Sequence, residues 1–170
     1  MILDTETMKS ATADAWVKGI GYYLLSDLVA GALAKAPFAD TKRKKWCRSR
    51  REFVRRTGYS LICSMLVRDS ESLADDECRT LLATIETEIH GSANLARHAM
   101  NMALISVGIY KPTMRNETIA MARRIGPVEV DHGETGCRTP PAEPYILKAE
   151  ARSKPKRPTK NKTSKSRKKS

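Results

Sequence analysis

Residues 42–56, KRKKWCRSRREFVRR, hold nine Lys or Arg against one acid, Glu52. Cations set that densely do one kind of chemistry well: they collect phosphate or another anion through charge-assisted hydrogen bonds. The same residues carry an apolar pattern. At helical spacing Phe53, Val54, Thr57, Leu61 and Met65 fall on one side, while Arg48, Arg51, Arg55 and Arg56 fall mostly on the other. One helix is thus expected to pack with one face and meet an anion with the other, the alternative being a face that is merely solvated. A second set of reactive types lies in residues 131–137, where Asp131, His132, Glu134 and Cys137 offer carboxylate, imidazole and thiolate. These are zinc-ligand types. No pair among them has a standard zinc spacing, and Gly133, Gly136, Pro140, Pro141 and Pro144 surround them. A structured turn covering the last helical hairpin is the reading this composition favours, and no metal or other cofactor is expected.

The elements that must position these residues are helical throughout. Apolar residues recur at three and four over residues 14–35 (Trp16, Val17, Ile20, Tyr23, Leu24, Leu28), which predicts one long helix stopped by Pro37. A short basic helix over 40–48, capped by Asp40, leads into a long one over 50–67, and 69–72 make a turn. Further helices are expected from 71 or 74 to 89, over 94–107 and over 114–125, closed by Gly91, Gly108 and Gly126. No strand signal of weight appears. Laying residues 52–64 over 94–106, an offset of 42, sets Phe53 on Leu95, Arg55 on Arg97, Arg56 on His98, Leu61 on Ala103 and Ile62 on Leu104. That period falls within the roughly 40–47 residues of HEAT and armadillo repeats. The expected fold is all-α: HEAT-like helical-hairpin repeats in a short α-solenoid array. In such an array the second helices line the concave side, which would gather the arginine helix, His98 and the helix of Tyr23 and Asp27 on one inner surface.

Charge is unevenly spread. The chain of 170 residues carries +12, but residues 148–170 alone contain 11 Lys or Arg and one Glu, leaving 20 basic and 18 acidic residues before them. A segment so poor in apolar side chains cannot offset its chain entropy by burial and is expected to be disordered. It reads either as a tether for polyanions or as a solubility extension. The expected division is a helical repeat domain over 1–126, a Gly/Pro-rich segment over 127–147 and the basic tail over 148–170. Four cysteines with no CxxC pair read as reduced thiols in a cytoplasmic protein, nucleoid-associated if the source is bacterial. No stretch has the length of a membrane span, and the N-terminus lacks the pattern of a signal peptide.

Three ordered segments resemble the DNA alkylation repair proteins, HEAT-like monofunctional DNA glycosylases that act on N-alkylated purines. They are YYLLSDLVAGAL (22–33), WCRSRREFVRRTGYSL (46–61) and NLARHAMNMALISVG (94–108), and the likeness covers about residues 16–125. The resemblance implies double-stranded DNA as partner, with Asp27 as the acidic active-site residue and Arg56 as a phosphate contact. It places Tyr23 and Met102 at two cleft positions where active members carry Trp. It also implies repeats preceding this chain, which reads as a fragment or a shortened relative, with an apolar face before Trp16 open to a partner. Residues 128–145 resemble the C-terminal end of a subset of the family.

Two functions follow from these readings. In one, Arg51, Arg55, Arg56 and His98 help seat the DNA backbone while Asp27 stabilises the positive charge that builds on deoxyribose as the glycosidic bond of an N-alkylated purine is hydrolysed. In the other, the same surface is a non-catalytic HEAT-like scaffold for nucleic acid or a protein partner.

Overall fold

Apolar residues at helical spacing close into eight α-helices over residues 8–153, the part of the chain that the computed structural model describes. They are α1 (Ser10–Gly19), α2 (Tyr23–Leu33), α3 (Ala39–Cys47), α4 (Glu52–Arg68), α5 (Asp75–Glu88), α6 (Asn94–Tyr110), α7 (Arg115–Ile125) and α8 (Ala142–Ser153). Two 3-10 turns, Ser70–Ser72 and Pro112–Met114, complete the set, and no strand occurs among the described residues. The protein is therefore all-α over this span. No helix among the described residues is long and apolar enough to cross a membrane.

α4 is the centre of the packing. It packs against α2, α3 and α6, and Tyr59, Leu61, Ile62 and Leu66 are buried along it. Gly58 is what lets α3 come so close: a Cβ there would stand 2.6 Å from the Cys47 backbone nitrogen. α1 is tied to α3 by Asp14, which accepts from Trp46 Nε1 at 2.8 Å and from the Lys42 and Lys45 ammonium groups at 2.7 Å each. Those bonds outweigh the upward push of burial and hold the Asp14 carboxyl well below the usual carboxylate range.

Three expectations are corrected. Residues 14–35 form two helices rather than one. The chain turns extended at Ile20 and Tyr22, on either side of Gly21, because Gly costs a helix about 1 kcal/mol per residue and Gly19 and Gly21 flank the break. The break resets the helical phase. Ala13, Val17, Ser26, Ala30 and Leu33 are the buried residues, whereas Trp16, Leu24 and Leu28 are exposed. With Tyr22 and Leu25 they leave an apolar strip along this end of the array. Asp40 does not cap α3 from outside; Phe38 holds that position, and Asp40 sits in the first turn, paired with Arg43 at 2.5 Å and Lys44 at 2.8 Å. Lastly, α8 crosses the expected boundary between the Gly/Pro-rich segment and the basic tail. Pro140, Pro141 and Pro144 precede or occupy its first turn, where helix N–H groups have no intrahelical acceptor and a missing one costs little. Its Ile146 is fully buried against Gly108 of α6. The basic residues from 154 onward lie outside the described residues.

Candidate nucleic-acid site

Side chains four apart share a helix face, so α2 presents Tyr23 with Asp27 and α4 presents Arg56 with Ser60. Leu95, His98 and Met102 make a matching stripe on α6. The three stripes converge on a cleft of ≈ 510 Å³ lined by Tyr23, Asp27, Arg56, Leu95 and His98. It continues into a smaller groove of ≈ 240 Å³, shared by Asp27, Arg56 and His98 and reaching Ser60, Cys63 and Met102. Burial pushes the Cys63 thiol up to about 11, so it is protonated at neutral pH.

Arg56 organises the cleft from beneath. It is only 3% exposed. Its Nη2 donates to Asp27 Oδ2 at 2.7 Å, its Nη1 to the Leu95 carbonyl at 3.1 Å, and its Nη1 lies 3.4 Å from His98 Nδ1. The guanidinium also stands over the Tyr23 ring, 5.4 Å from the centroid. Ser60 Oγ donates to the other Asp27 oxygen at 2.7 Å. Both carboxylate oxygens are thus engaged, yet the Asp27 side chain remains 44% exposed. Burial, then the charge of Arg56 and the neighbouring His132, push His98 down to about 4. At neutral pH the ring is uncharged, so Nδ1 can accept from Arg56 while Nε2 holds the proton.

Residues 131–138 form the outer wall. Asn94 of α6 pairs reciprocally with the Asp131 backbone, at 2.6 Å to its carbonyl and 2.8 Å from its N–H. Arg97 donates to Glu129 O and Asn101 to Pro140 O, both at 2.9 Å. His132 bonds Thr139 Oγ1 at 2.9 Å and sets its ring edge-on to His98, 5.4 Å between centroids. The turn therefore runs along the first half of α6 and the cleft. Among the described residues no three His, Cys, Asp or Glu side chains converge as a metal site. Arg138 lines the cleft, is exposed, and makes no ion pair among the described residues.

The structure thus brings together Tyr23, Asp27, Arg56 and His98, with Met102 next door, and it separates Arg51 and Arg55 from them. The Arg51 guanidinium donates to the Lys18 carbonyl at 2.7 Å, near α1. Arg55 pairs with Glu88 of α5. Nor is the basic row of residues 42–56 an open anion-seeking face. Lys42 and Lys45 meet Asp14, Arg43 and Lys44 meet Asp40 and Glu77, Arg55 meets Glu88, and Arg56 meets Asp27. Acids, most of them remote in sequence, neutralise much of it, leaving Arg48, Arg50 and Arg51 exposed and without ion pairs among the described residues. Sequence reasoning missed Ser60, whose four-residue spacing from Arg56 was a usable signal. It also missed His132 and Arg138 as cleft walls, and an aperiodic loop offered no signal for either.

Known proteins share this helical architecture. A family model described as DNA alkylation repair enzyme matches residues 5–125. The uncharacterized protein Lin0241 of Listeria innocua is 30% identical over 125 residues, covering 73% of this chain and 53% of its own. The uncharacterized protein Lmo0209 of Listeria monocytogenes is 29% identical over 127 residues, 74% of this chain and 54% of its own. A solved structure, described as a new family of proteins related to the HEAT-like repeat DNA glycosylases with affinity for branched DNA structures, superposes with a TM-score of 0.82 at 27% identity. The match covers 89% of this chain and 65% of that one. The chain spans about half the length of the two Listeria proteins.

Proposed function

The chain belongs to the DNA alkylation repair enzyme family, and from that premise we propose that it binds DNA at the cleft where Asp27 and Arg56 meet, without excising a base. One observation carries the reading: Tyr23, Asp27, Arg56 and His98, from three different helices, line a single cleft. Arg138 at its rim is the cation free to meet a backbone phosphate, while the buried Arg56 fixes Asp27 and His98 in place. The affinity for branched DNA ascribed to the structural relative makes junctions the first substrates to try. Excision is disfavoured because Asp27 already faces a guanidinium at 2.7 Å. A carboxylate so paired offers a developing sugar cation much less field than a lone one. The positions of the two cleft aromatics, held by Tyr23 and Met102, point the same way.

A second reading, hydrolysis of the glycosidic bond of an N-alkylated purine in double-stranded DNA, is favoured by the 44% exposure of the Asp27 side chain. One experiment separates the two. The folded protein is incubated with duplex and four-way-junction DNA at increasing salt, and with DNA carrying N7-methylguanine or N3-methyladenine. Binding should weaken steeply with salt and by about threefold to tenfold in Arg138→Gln, with no free base above the buffer control. Absence of binding at low salt removes the DNA reading, and base release abolished by Asp27→Asn establishes the excision reading.

A further inference from the structure

Arg55 and Arg56 are about 100° apart around α4, and Arg55 opens on a separate cavity of ≈ 350 Å³ at the seam between α3, α4 and α5. Arg43, Lys44 and Arg48 of α3 line it together with Arg55, against two carboxylates, Glu77 and Glu88 of α5. The lining keeps a formal excess of +2, part of which Asp40, paired with Arg43 and Lys44 from outside it, offsets. Arg48 is exposed and makes no ion pair among the described residues. Below them Tyr59 is 0% exposed, its ring under the Arg55 guanidinium at 5.9 Å, and its hydroxyl has that guanidinium beside it but no acceptor for its own proton. The Nε atoms of Arg43 and Arg55 are buried and unpartnered as well. Buried polar atoms almost always find partners. Arg56 and Arg97 also leave an Nε unpartnered elsewhere, but here three donors without an acceptor gather on side chains lining one cationic cavity, which suits an acceptor-rich guest.

We propose that this seam binds a phosphate monoester. An anionic phosphate is drawn by the positive lining, and the three terminal oxygens of a monoester suit the guanidinium forks of Arg48 and Arg55 and the Lys44 ammonium better than a carboxylate's two. In the complex Arg55 turns from Glu88 to the phosphate and uncovers the Tyr59 hydroxyl, which gains the acceptor it lacks. The ester's organic part lies on the apolar wall of Ile62 and Leu81. Such a group arrives either as a free nucleoside monophosphate or as the terminal phosphate of a nucleic-acid strand.

The test titrates the full chain, observed by NMR, with adenosine 5′-monophosphate, inorganic phosphate, adenosine, and a short oligonucleotide with and without a 5′-phosphate. The monophosphate should saturate with shifts at residues of α3 and α5, and adenosine should not bind. Arg48→Gln, a change at an exposed unpaired side chain, should weaken the monophosphate by about tenfold, and Tyr59→Phe should weaken it while leaving the fold intact. Arg138→Gln, the cleft variant, should leave it unchanged, so failure here and failure of DNA binding at the cleft are separate results. A gain from the 5′-phosphate on the oligonucleotide identifies a strand end as the source, and its absence identifies the free ester. Equal binding of adenosine and its monophosphate, or indifference to both Arg48→Gln and Tyr59→Phe, overturns the proposal.

Discussion

Arg55 and Arg56 occupy consecutive positions of one helix and have opposite fates. Arg56 turns into the cleft, is 3% exposed, and has partners in Asp27, Leu95 and His98. Arg55 turns into the α3–α5 seam, pairs with a half-exposed Glu88, and covers a tyrosine hydroxyl that lacks an acceptor. The cleft leaves the Nε of Arg56 without a partner, whereas the seam leaves the Nε atoms of Arg43 and Arg55 and the Tyr59 hydroxyl without an acceptor. What a dense run of cations does is thus decided by which acids the fold brings to each one, and the linear charge count does not reveal that.

Breaking each guanidinium in turn is the most severe test of this contrast. Arg56→Met strands Asp27 and the Leu95 carbonyl and should cost roughly 2–3 kcal/mol in urea denaturation, below the value for a fully buried pair because Asp27 is partly solvated. Arg55→Met should cost under about 1 kcal/mol. Equal losses would dissolve the distinction. Gly58→Ala follows, at about 1–3 kcal/mol, since its Cβ would meet Cys47 backbone at 2.6 Å. Because that contact is with α3, amide shifts should spread through the seam rather than the cleft.

The two sites should also lose stability in different acid windows. His98 in the cleft has its pKa lowered from 6.5 to about 4, so the unfolded chain takes up the proton first. Its contribution is intact above pH 6.5 and drains away as pH falls toward 4. Glu77 in the seam is held down from 4.5 to about 2, chiefly by the Lys44 ammonium, with burial opposing and Arg43 adding. Its contribution persists above pH 4.5 and is lost as pH falls toward 2. Urea midpoints across pH, compared with His98→Gln and Glu77→Gln, should flatten the upper and the lower window respectively; one shared window would contradict the assignment. Arg51→Ala should be the mildest change, within about 0.5 kcal/mol, because the residue is exposed and bonds only a carbonyl.

Much of the architecture was legible in the residues. Helical periodicity placed α4 to α7 within a few positions, and the offset of 42 put Arg56 in register with His98, which the fold brings to 3.4 Å. What escaped had physical causes. Two glycines two residues apart broke the first helix, whose apolar pattern alone looked continuous. Prolines that read as loop instead lead into α8, and Pro144 occupies its first turn. Within the site, Tyr23, Asp27, Arg56 and His98 were found as a group, but Arg51 and Arg55 were grouped with them by charge, although a helix rotates each residue by about 100° from the last. The partners Asp14, Glu77 and Glu88 lie up to 34 residues from the cations they neutralise, and periodicity says nothing about such pairings.

The contact between Arg56 and His98 has a consequence for how this cleft can change. Two positions one repeat apart touch because stacking lays each hairpin's letter beside the same letter of the next, so the cleft is spelled as a column, one residue per hairpin. A hairpin spliced in between α4 and α6 would push those two letters apart and start a new word. An array of this kind can be lengthened at either end and keep its message, but not in the middle.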